Sequence, residues 1–419
     1  MTALSLNVQS EIGKLEGVIL HKPGAEVENM TPQTAQRALY SDILNLSIAK
    51  KEYEQLNGVL SKYTSVYYIE DLLRNLLDDY REREKLIGKI CIEEEVTDYF
   101  DYLMEMPSDQ LAKSLIEGVP ARINTLTAYL KEEYYALYPL YNFYFTRDAS
   151  VTIGNNALIC RMANKVRMRE SLIMEAIFRS SAFNCNIINA HDFHPGNRDV
   201  YMEGGDILIA REDILLIGNG VRTSTQGIDM LISRLLKDKS DDKRHVIVQQ
   251  LPSSPESFIH LDMVFTLLDR DCCMVFEPLI LGNNQYQTVH IELEGGKVTS
   301  IKSVPNIPTV LRELGMDLKP VICGGSADVW NQEREQWHSG ANFFAMEPGK
   351  VLSYARNIHT LAELNKNGFE VITAWDVIKG SKDIADYKRC VVTIDGSELP
   401  RGGGGARCMT MPVRRGNII

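Results

Sequence analysis

The sequence predicts an α/β fold in which a β-hairpin, a helix and a further strand recur along the chain as a ββαβ unit. Four stretches share one layout, with a polar lead-in, an apolar strand, a short turn and a second apolar strand; they lie at 146–159, 203–218, 260–276 and 340–355. Aspartates in the first three lead-ins recur at intervals of 58 and 56 residues. A recurrence of that length indicates a repeated supersecondary unit. Such units arranged about one axis would form an α/β propeller, although similar hairpins can also arise independently in an α/β chain.

A different texture separates the first part of the chain from these repeats. Residues 70–137 carry helical periodicity and predict an inserted all-helical module, a small bundle, which we expect to be peripheral to the chemistry. Residues 1–69 and 138–419 would then form the catalytic α/β propeller domain. A helical candidate at 169–183 supplies the helix of the first repeat.

The composition excludes several classes of function. The chain has 419 residues, 44% of them hydrophobic, and 45 basic against 56 acidic side chains give a net charge of −11. An acidic surface disfavours binding to nucleic acid or to an anionic membrane, and favours a cationic small molecule. Apolar runs stay below the roughly 18 residues that span a bilayer, and the N-terminal segment does not have the layout of a signal peptide. We therefore expect a cytoplasmic protein.

Cysteine usage singles out one thiol. The eight cysteines show neither CxxC spacing nor the density of a secreted disulfide scaffold, so they should be reduced. Most lie in apolar strings, where a buried cysteine acts as a small hydrophobic side chain. Cys408 instead follows the glycine-rich run 401–407, which neither a core strand nor a helix would tolerate.

The polar lead-ins carry the residues capable of chemistry. Asp148, Glu203, Asp206, His260 and Asp262 lie in them, and the last strand leads to Cys408. If the units surround an axis, these side chains converge. A zinc site would be expected at local CxxC or HxxxH spacing, which does not occur, so we expect no metal and no cofactor. The second interpretation is a cysteine nucleophile with a histidine acid and base.

The surrounding carboxylates select the substrate class. Several carboxylates beside a thiol would disfavour both a thiolate and a peptide oxyanion, but they would bind a cation. A guanidinium is planar and permanently charged, and its forked N–H groups match carboxylates bidentately. Two carboxylates could hold such a group while a thiolate attacks its central carbon.

The ordered motifs resemble those of a known family. The strings at 145–148, 202–206, 260–262 and 401–412 are similar to the signature set of the arginine deiminases, in the guanidino-group-modifying superfamily. The resemblance runs the length of the chain and includes 13–26, 218–224 and 330–342. It implies a five-fold pseudosymmetric propeller, and it implies that 70–137 is the helical insertion of these enzymes. It also implies L-arginine as the substrate, and we expect copies of the chain to self-associate as a homo-oligomer.

Catalytic roles follow from the resemblance alone. Cys408 would attack the guanidinium carbon to form a covalent thiouronium, and His260 would protonate the departing ammonia and then activate water. Asp148 and Asp262 would grip the guanidinium nitrogens, and Glu203 would contact the guanidinium and support His260.

Substrate-binding roles follow in the same way. Arg167 and Arg222 match the family's arginines for the α-carboxylate, with Asn142 nearby. Phe145 would pack along the aliphatic part of the substrate, and Asp206 would form the floor of the site, unless it only fixes a turn. One departure is Gly403, where some relatives have a second arginine.

Two alternatives to this function differ in what they need from the chain. A protein that only binds arginine would have no use for a nucleophile beside a guanidinium. An agmatine deiminase would need no anchor for an α-carboxylate. Ammonia release from arginine distinguishes the first, and a comparison of the two substrates distinguishes the second.

Overall fold

The structure is a computed structural model that describes residues 3–35, 40, 42–130, 134–192, 199–237 and 243–418. Its architecture is mixed α/β, with several separate sheets rather than one continuous sheet. The four predicted hairpins are all present. Their turns suit the sequence; Gly154 between the first two strands has φ +59°, a conformation that glycine adopts at little cost.

Five sheets share one plan, in which a central strand pairs antiparallel with one neighbour and parallel with the other. We number them units 1 to 5. Their strands, in sheet order, are Ser150–Ile153, Asn156–Ile159 and Asn186–Asn189 in unit 1; Ile207–Arg211, Ile214–Asn219 and Arg244–Gln250 in unit 2; Phe265–Asp269, Cys272–Val275 and Lys319–Ile322 in unit 3; Phe344–Glu347, Lys350–Tyr354 and Cys390–Ile394 in unit 4; and Met411–Arg415, Leu15–Leu20 and Ser65–Tyr68 in unit 5. Unit 5 pairs the last strand of the chain with an early one, so the two ends of the sequence close on each other.

Two units carry additional strands at their edges. Thr288–Glu294 and Lys297–Val304 extend unit 2, and Glu370–Thr373 extends unit 4. A short parallel pair joins Leu4–Ser5 to Phe183–Asn184.

A helix connects the second and third strands of each unit, as a parallel pairing requires. Outside the segment 69–130, the α-helices within the described ranges are Ala25–Glu28, Pro32–Ala35, Leu46–Tyr63, Met168–Arg179, Thr225–Leu235, Glu277–Ile280, Ile307–Glu313, Val329–Trp337, Ile358–Lys366 and Ala374–Lys379. Helices cover the sheets, so several strands are buried along their whole length; Cys272–Val275 and Cys390–Ile394 are buried at every position.

The segment predicted to be helical forms Ile69–Leu77, Tyr80–Glu93, Phe100–Met104, Ser108–Glu117 and Leu126–Leu130. The prediction that it is all helical is wrong in one place, because Val119–Pro120 pairs antiparallel with Tyr135–Leu137. Gly118, at φ +98°, ends the preceding helix, and Pro120 cannot extend it. Residues 131–133 of the predicted module lie outside the described ranges. The helices pack on Met168–Arg179 of unit 1 and share its hydrophobic core.

No helix within the described ranges is long and apolar enough to cross a membrane.

Candidate active site

The polar lead-ins of the five units meet in one place. A closed ring of hydrogen bonds joins them in order around the ring: Arg147 N to Cys408 O (3.1 Å), Gly204 N to Asp148 O (2.9 Å), Leu261 N to Asp206 Oδ1 (2.8 Å), Asn342 Nδ2 to Asp262 O (3.1 Å) and Arg407 N to Asn342 Oδ1 (2.9 Å). Each unit therefore contributes the residues just before its first strand to a common centre.

His260 lies at this centre and is 1% exposed. Its Nε2 is 3.0 Å from Glu203 Oε2, and its Nδ1 is 3.7 Å from Asp148 Oδ1. Burial would lower the pKa of His260, but Asp148 and Glu203 outweigh burial and raise it to about 9. The imidazole is therefore a cation at neutral pH, able to donate a proton. Gly205 makes room for it, because a Cβ there would lie 2.4 Å from Nδ1.

Glu203 is fully buried and accepts contacts on both oxygens. Oε1 receives Ala163 N at 3.2 Å and Arg222 Nη1 at 3.4 Å, while Oε2 faces His260. Burial opposes ionisation, yet Arg222, His260 and Arg167 together hold the pKa of Glu203 well below its usual range. Glu203 is thus a permanent anion that fixes and charges the imidazole.

Arg167 lies on the same side of the site and is 4% exposed. Its Nη1 is 2.8 Å from Asp148 Oδ2, and its Nε and Nη2 bind Glu170. Its Nη2 is also 3.5 Å from the main-chain oxygen of Asn142. The guanidinium of Arg167 therefore neutralises Asp148 and Glu170 in this structure.

Asp262 occupies the opposite side, with 0% exposure. Arg407 Nη1 lies 2.8 Å from its Oδ2, and the remaining nitrogens of Arg407 bind Glu11 at 3.0 Å. Oδ1 of Asp262 is buried and has no hydrogen-bond partner within the described structure, as is also true of Asp148 Oδ1. Two buried carboxylate oxygens are thus available to a ligand's N–H donors.

Cys408 is 2% exposed and lies beside Asp262. Its Sγ is 3.6 Å from Asp262 Oδ2 and accepts Asn342 Nδ2 at 3.2 Å. Burial, then Asp262 and Asp148, raise the pKa of the Cys408 thiol well above its usual value. The resting sulfur is accordingly a protonated thiol in a carboxylate-rich setting.

The two residues predicted for the surroundings of the site lie close to it. Asp206 is fully buried and accepts the main-chain N–H of Leu261, and burial raises its pKa to about 7. It therefore fixes the turn that carries His260. The ring of Phe145 packs against Gly404, where a Cβ would approach it to 2.5 Å.

A pocket of about 440 Å³ opens beside this centre. Arg222, Met263 and Arg401 line it, together with Gly402 and Gly403 of the glycine-rich run. Arg222 thus bridges the pocket and the buried Glu203, while Arg401 is about half exposed and pairs with Asp42. The volume is ample for a single amino acid.

Among the described residues, one group has the spacing of a metal site. Ligand atoms of Asp148, Glu203 and His260 lie within 4.8 Å of one another. Arg167 and Arg222 already pair with the two carboxylates, and His260 is held as a cation, whose two protonated ring nitrogens cannot ligate a metal. The expectation of a site without metal therefore stays a prediction.

Sequence reasoning missed three buried contacts: Asn342 on the Cys408 sulfur, Arg407 on Asp262, and Glu170 on Arg167. Asn342 could have been found, because it occupies in the fourth lead-in the place that the aspartates occupy in the first three. The ion pairs of Arg407 and Glu170 had no such signal.

Comparisons with known proteins identify the family that the chain resembles. The family model described as arginine deiminase matches residues 36–415. An arginine deiminase of Mycoplasma capricolum subsp. capricolum is 32% identical over 421 residues, covering 99% of this chain and 98% of that protein. An arginine deiminase of Bacillus cytotoxicus is 34% identical over 435 residues, covering 99% of each.

Solved structures share the fold at low sequence identity. The product-bound N-terminal domain of ArgZ, an arginine dihydrolase of cyanobacteria, gives a TM-score of 0.53 at 15% identity, covering 96% of this chain and 98% of that one. A dimethylarginine dimethylaminohydrolase adduct with S-methyl-L-thiocitrulline gives 0.51 at 13% identity, covering 95% and 99%. The mixed α/β architecture is therefore shared with this arginine dihydrolase and this dimethylarginine dimethylaminohydrolase.

Proposed function

The chain belongs to the arginine deiminase family, and we propose that it hydrolyses L-arginine to L-citrulline and ammonium through a covalent intermediate on Cys408. The observation that carries the proposal is a buried thiol beside Asp262, in the same ring of lead-ins as a protonated His260 and Asp148. A nucleophile surrounded by anions suits an electrophile that is itself a cation.

Binding of the cationic substrate would lower the pKa of the Cys408 thiol. The guanidinium brings a positive charge to Asp148 and Asp262, whose Oδ1 atoms accept no hydrogen bond within the described residues and can accept its N–H groups. Those carboxylates then no longer repel a thiolate as strongly, and the thiol proton is released to solvent. The thiolate adds to the guanidinium carbon and gives a neutral tetrahedral adduct.

His260 then acts twice. Its imidazolium donates a proton to one amino group, ammonia leaves, and a cationic S-alkylthiouronium remains on Cys408. The neutral imidazole next takes a proton from water while the hydroxide adds to the same carbon. Collapse of this second adduct expels the Cys408 thiolate and gives citrulline, and the proton lost from its oxygen converts the ammonia to ammonium.

Arg222 is the proposed anchor for the substrate's α-carboxylate, because it lines the pocket and ends at Glu203. Arg167 keeps its expected role at the α-carboxylate only if the substrate draws it away from Asp148 and Glu170. Phe145 would contact the aliphatic chain, Asn142 the polar end, and Asp206 would hold the catalytic turn from below.

Quantifying citrulline and ammonium from arginine with purified protein tests the proposal. Equimolar release, abolished in Cys408→Ala, is expected. Stoichiometric arginine binding by the wild-type protein without turnover would instead assign the chain to binding alone.

Several finer features belong to the same proposal. The five matching sheets and the closed ring of hydrogen bonds support a five-fold pseudosymmetric propeller as the catalytic domain, with the helical segment 70–137 inserted outside the site. All eight cysteines are free thiols, which fits a cytoplasmic location. Self-association and the lack of a nucleic-acid partner or a cofactor stay predictions; light scattering of the purified chain tests the first.

A further inference from the structure

The motif 330–342 ends on Asn342, which takes no part in the reaction steps proposed for Cys408 and His260. Asn342 is 1% exposed and stands in the lead-in of unit 4. Its Nδ2 lies 3.2 Å from Cys408 Sγ, so it contacts the sulfur that would attack the substrate.

The orientation of this amide is fixed by its surroundings. Asn342 Oδ1 accepts the main-chain N–H groups of Arg407 at 2.9 Å and of Cys408 at 3.4 Å. Those groups can only donate, so the oxygen must face them and Nδ2 must face away. Nδ2 donates to the main-chain oxygen of Asp262 at 3.1 Å and to Sγ at 3.2 Å, and both contacts are shorter than its 3.7 Å approach to Met263 Sδ.

The backbone keeps this position open. A Cβ at Gly405 would lie 2.6 Å from Asn342 Oδ1 and 2.7 Å from its Cβ. The glycine-rich run therefore accommodates the Asn342 amide against the nucleophile as well as allowing the chain to bend.

The sulfur needs such a donor. Asp262 Oδ2, 3.6 Å from Sγ, is a group that a thiol can donate to but that a thiolate would repel. Among the described side chains, Asn342 donates an N–H to Sγ, in addition to the main-chain N–H of Gly405. A hydrogen bond to a charged acceptor is about twice as strong as one to a neutral acceptor, so it favours the ionised form.

We propose that Asn342 is a catalytic residue whose amide N–H stabilises the Cys408 thiolate, both before attack and when the thiouronium breaks down. In each case the S–H or S–C bond gives its electron pair to sulfur, and the Asn342 N–H remains intact. The inference rests on the proposed function, since it assumes that Cys408 is the nucleophile.

Asn342→Ala tests this role, with Asn357→Ala as the matched control. Asn357 is equally buried, but its amide donates to the main-chain oxygen of His338. Substrate-free protein is alkylated with iodoacetamide across a pH series, and the rate at the Cys408 peptide is followed by mass spectrometry. This measurement does not depend on which substrate is turned over, so failure of arginine hydrolysis by the wild type and failure of this inference are separate results.

Asn342→Ala should move the midpoint of Cys408 alkylation roughly one pH unit or more upward and lower kcat/KM roughly 10- to 100-fold, whereas Asn357→Ala should leave the midpoint in place. Asn342→Asp, which replaces the donor by an anion, should move it further. A midpoint within 0.3 units (about twofold in thiolate fraction) of wild type in Asn342→Ala overturns the inference. If Asn342→Ala and Asn342→Asp both fail to fold while Asn357→Ala folds, the role of Asn342 is structural, and this result would also overturn the inference.

Discussion

Removing the Arg222 side chain should change the choice between two substrates. Arg222 lines the pocket with its side chain 14% exposed, and its charge reaches Glu203 through a single 3.4 Å contact. Agmatine is arginine without the α-carboxylate. If Arg222 binds that carboxylate, Arg222→Ala removes a charge-assisted contact from arginine and nothing comparable from agmatine.

The structure indicates the size of the effect. For a partly solvated site the lost contact is worth about 2 kcal/mol, the lower end of the range for charge pairs, or roughly 30-fold in the ratio of arginine to agmatine kcat/KM. The loss of the Glu203 contact affects both substrates alike and cancels in the ratio. Citrulline release measures arginine turnover, and ammonia release or competitive inhibition measures agmatine.

Arg167→Ala provides the contrast. Three of its nitrogens face Asp148 and Glu170, so its removal leaves two buried carboxylates without their cation. Breaking such a group costs about 3–5 kcal/mol, and both substrates should suffer equally. Equal losses for Arg222→Ala would refute the assignment of the α-carboxylate to Arg222. A selective loss of arginine for Arg167→Ala would mean that the substrate draws Arg167 to the α-carboxylate as well.

Four further outcomes are expected. Cys408→Ser should lower kcat at least roughly 1,000-fold with the fold intact, since a serine hydroxyl is a far weaker nucleophile. Rapid quenching of the wild-type protein during turnover should show an adduct on the Cys408 peptide alone. Activity of Cys408→Ser within tenfold of wild type would contradict covalent catalysis. Activity should fall as pH rises through about 9, because the raised pKa keeps His260 protonated below that value and the neutral ring cannot protonate the departing amino group. Glu203→Gln should move this fall to lower pH, and an unchanged profile counts against His260 as the acid. EDTA should leave activity unchanged. A loss of activity that added metal restores would mean that Asp148, Glu203 and His260 hold a metal ion. Gly205→Ala should abolish turnover because its Cβ would displace the imidazole of His260. Gly154→Ala is the control: its Cβ would lie in open space, and its positive φ should lower the free energy of unfolding by only about 1 kcal/mol. Equal effects of the two variants on kcat would contradict the close approach of Gly205 to His260.

The repeats illustrate what sequence patterns determine locally. Each strand pair is set by contiguous residues, an apolar run, a turn and a second apolar run, so the hairpins of units 1 to 4 could be predicted from their own segments. Unit 5 could not, because its antiparallel pair joins Met411–Arg415 to Leu15–Leu20 from opposite ends of the chain.

The same distinction holds for the site. The sequence by itself determined which lead-ins carry the thiol, the imidazole and the carboxylates, because those residue types and their motifs are local. Only the tertiary structure decided how they are charged. Arg407 pairs with Asp262, which lies 145 residues before it in the sequence, and with Glu11, which lies 396 residues before it. The raised pKa of His260 depends on Glu203, 57 residues away in the sequence. Charge in a buried site is set by neighbours in space, and spatial neighbours from separate units leave no periodic trace in the chain.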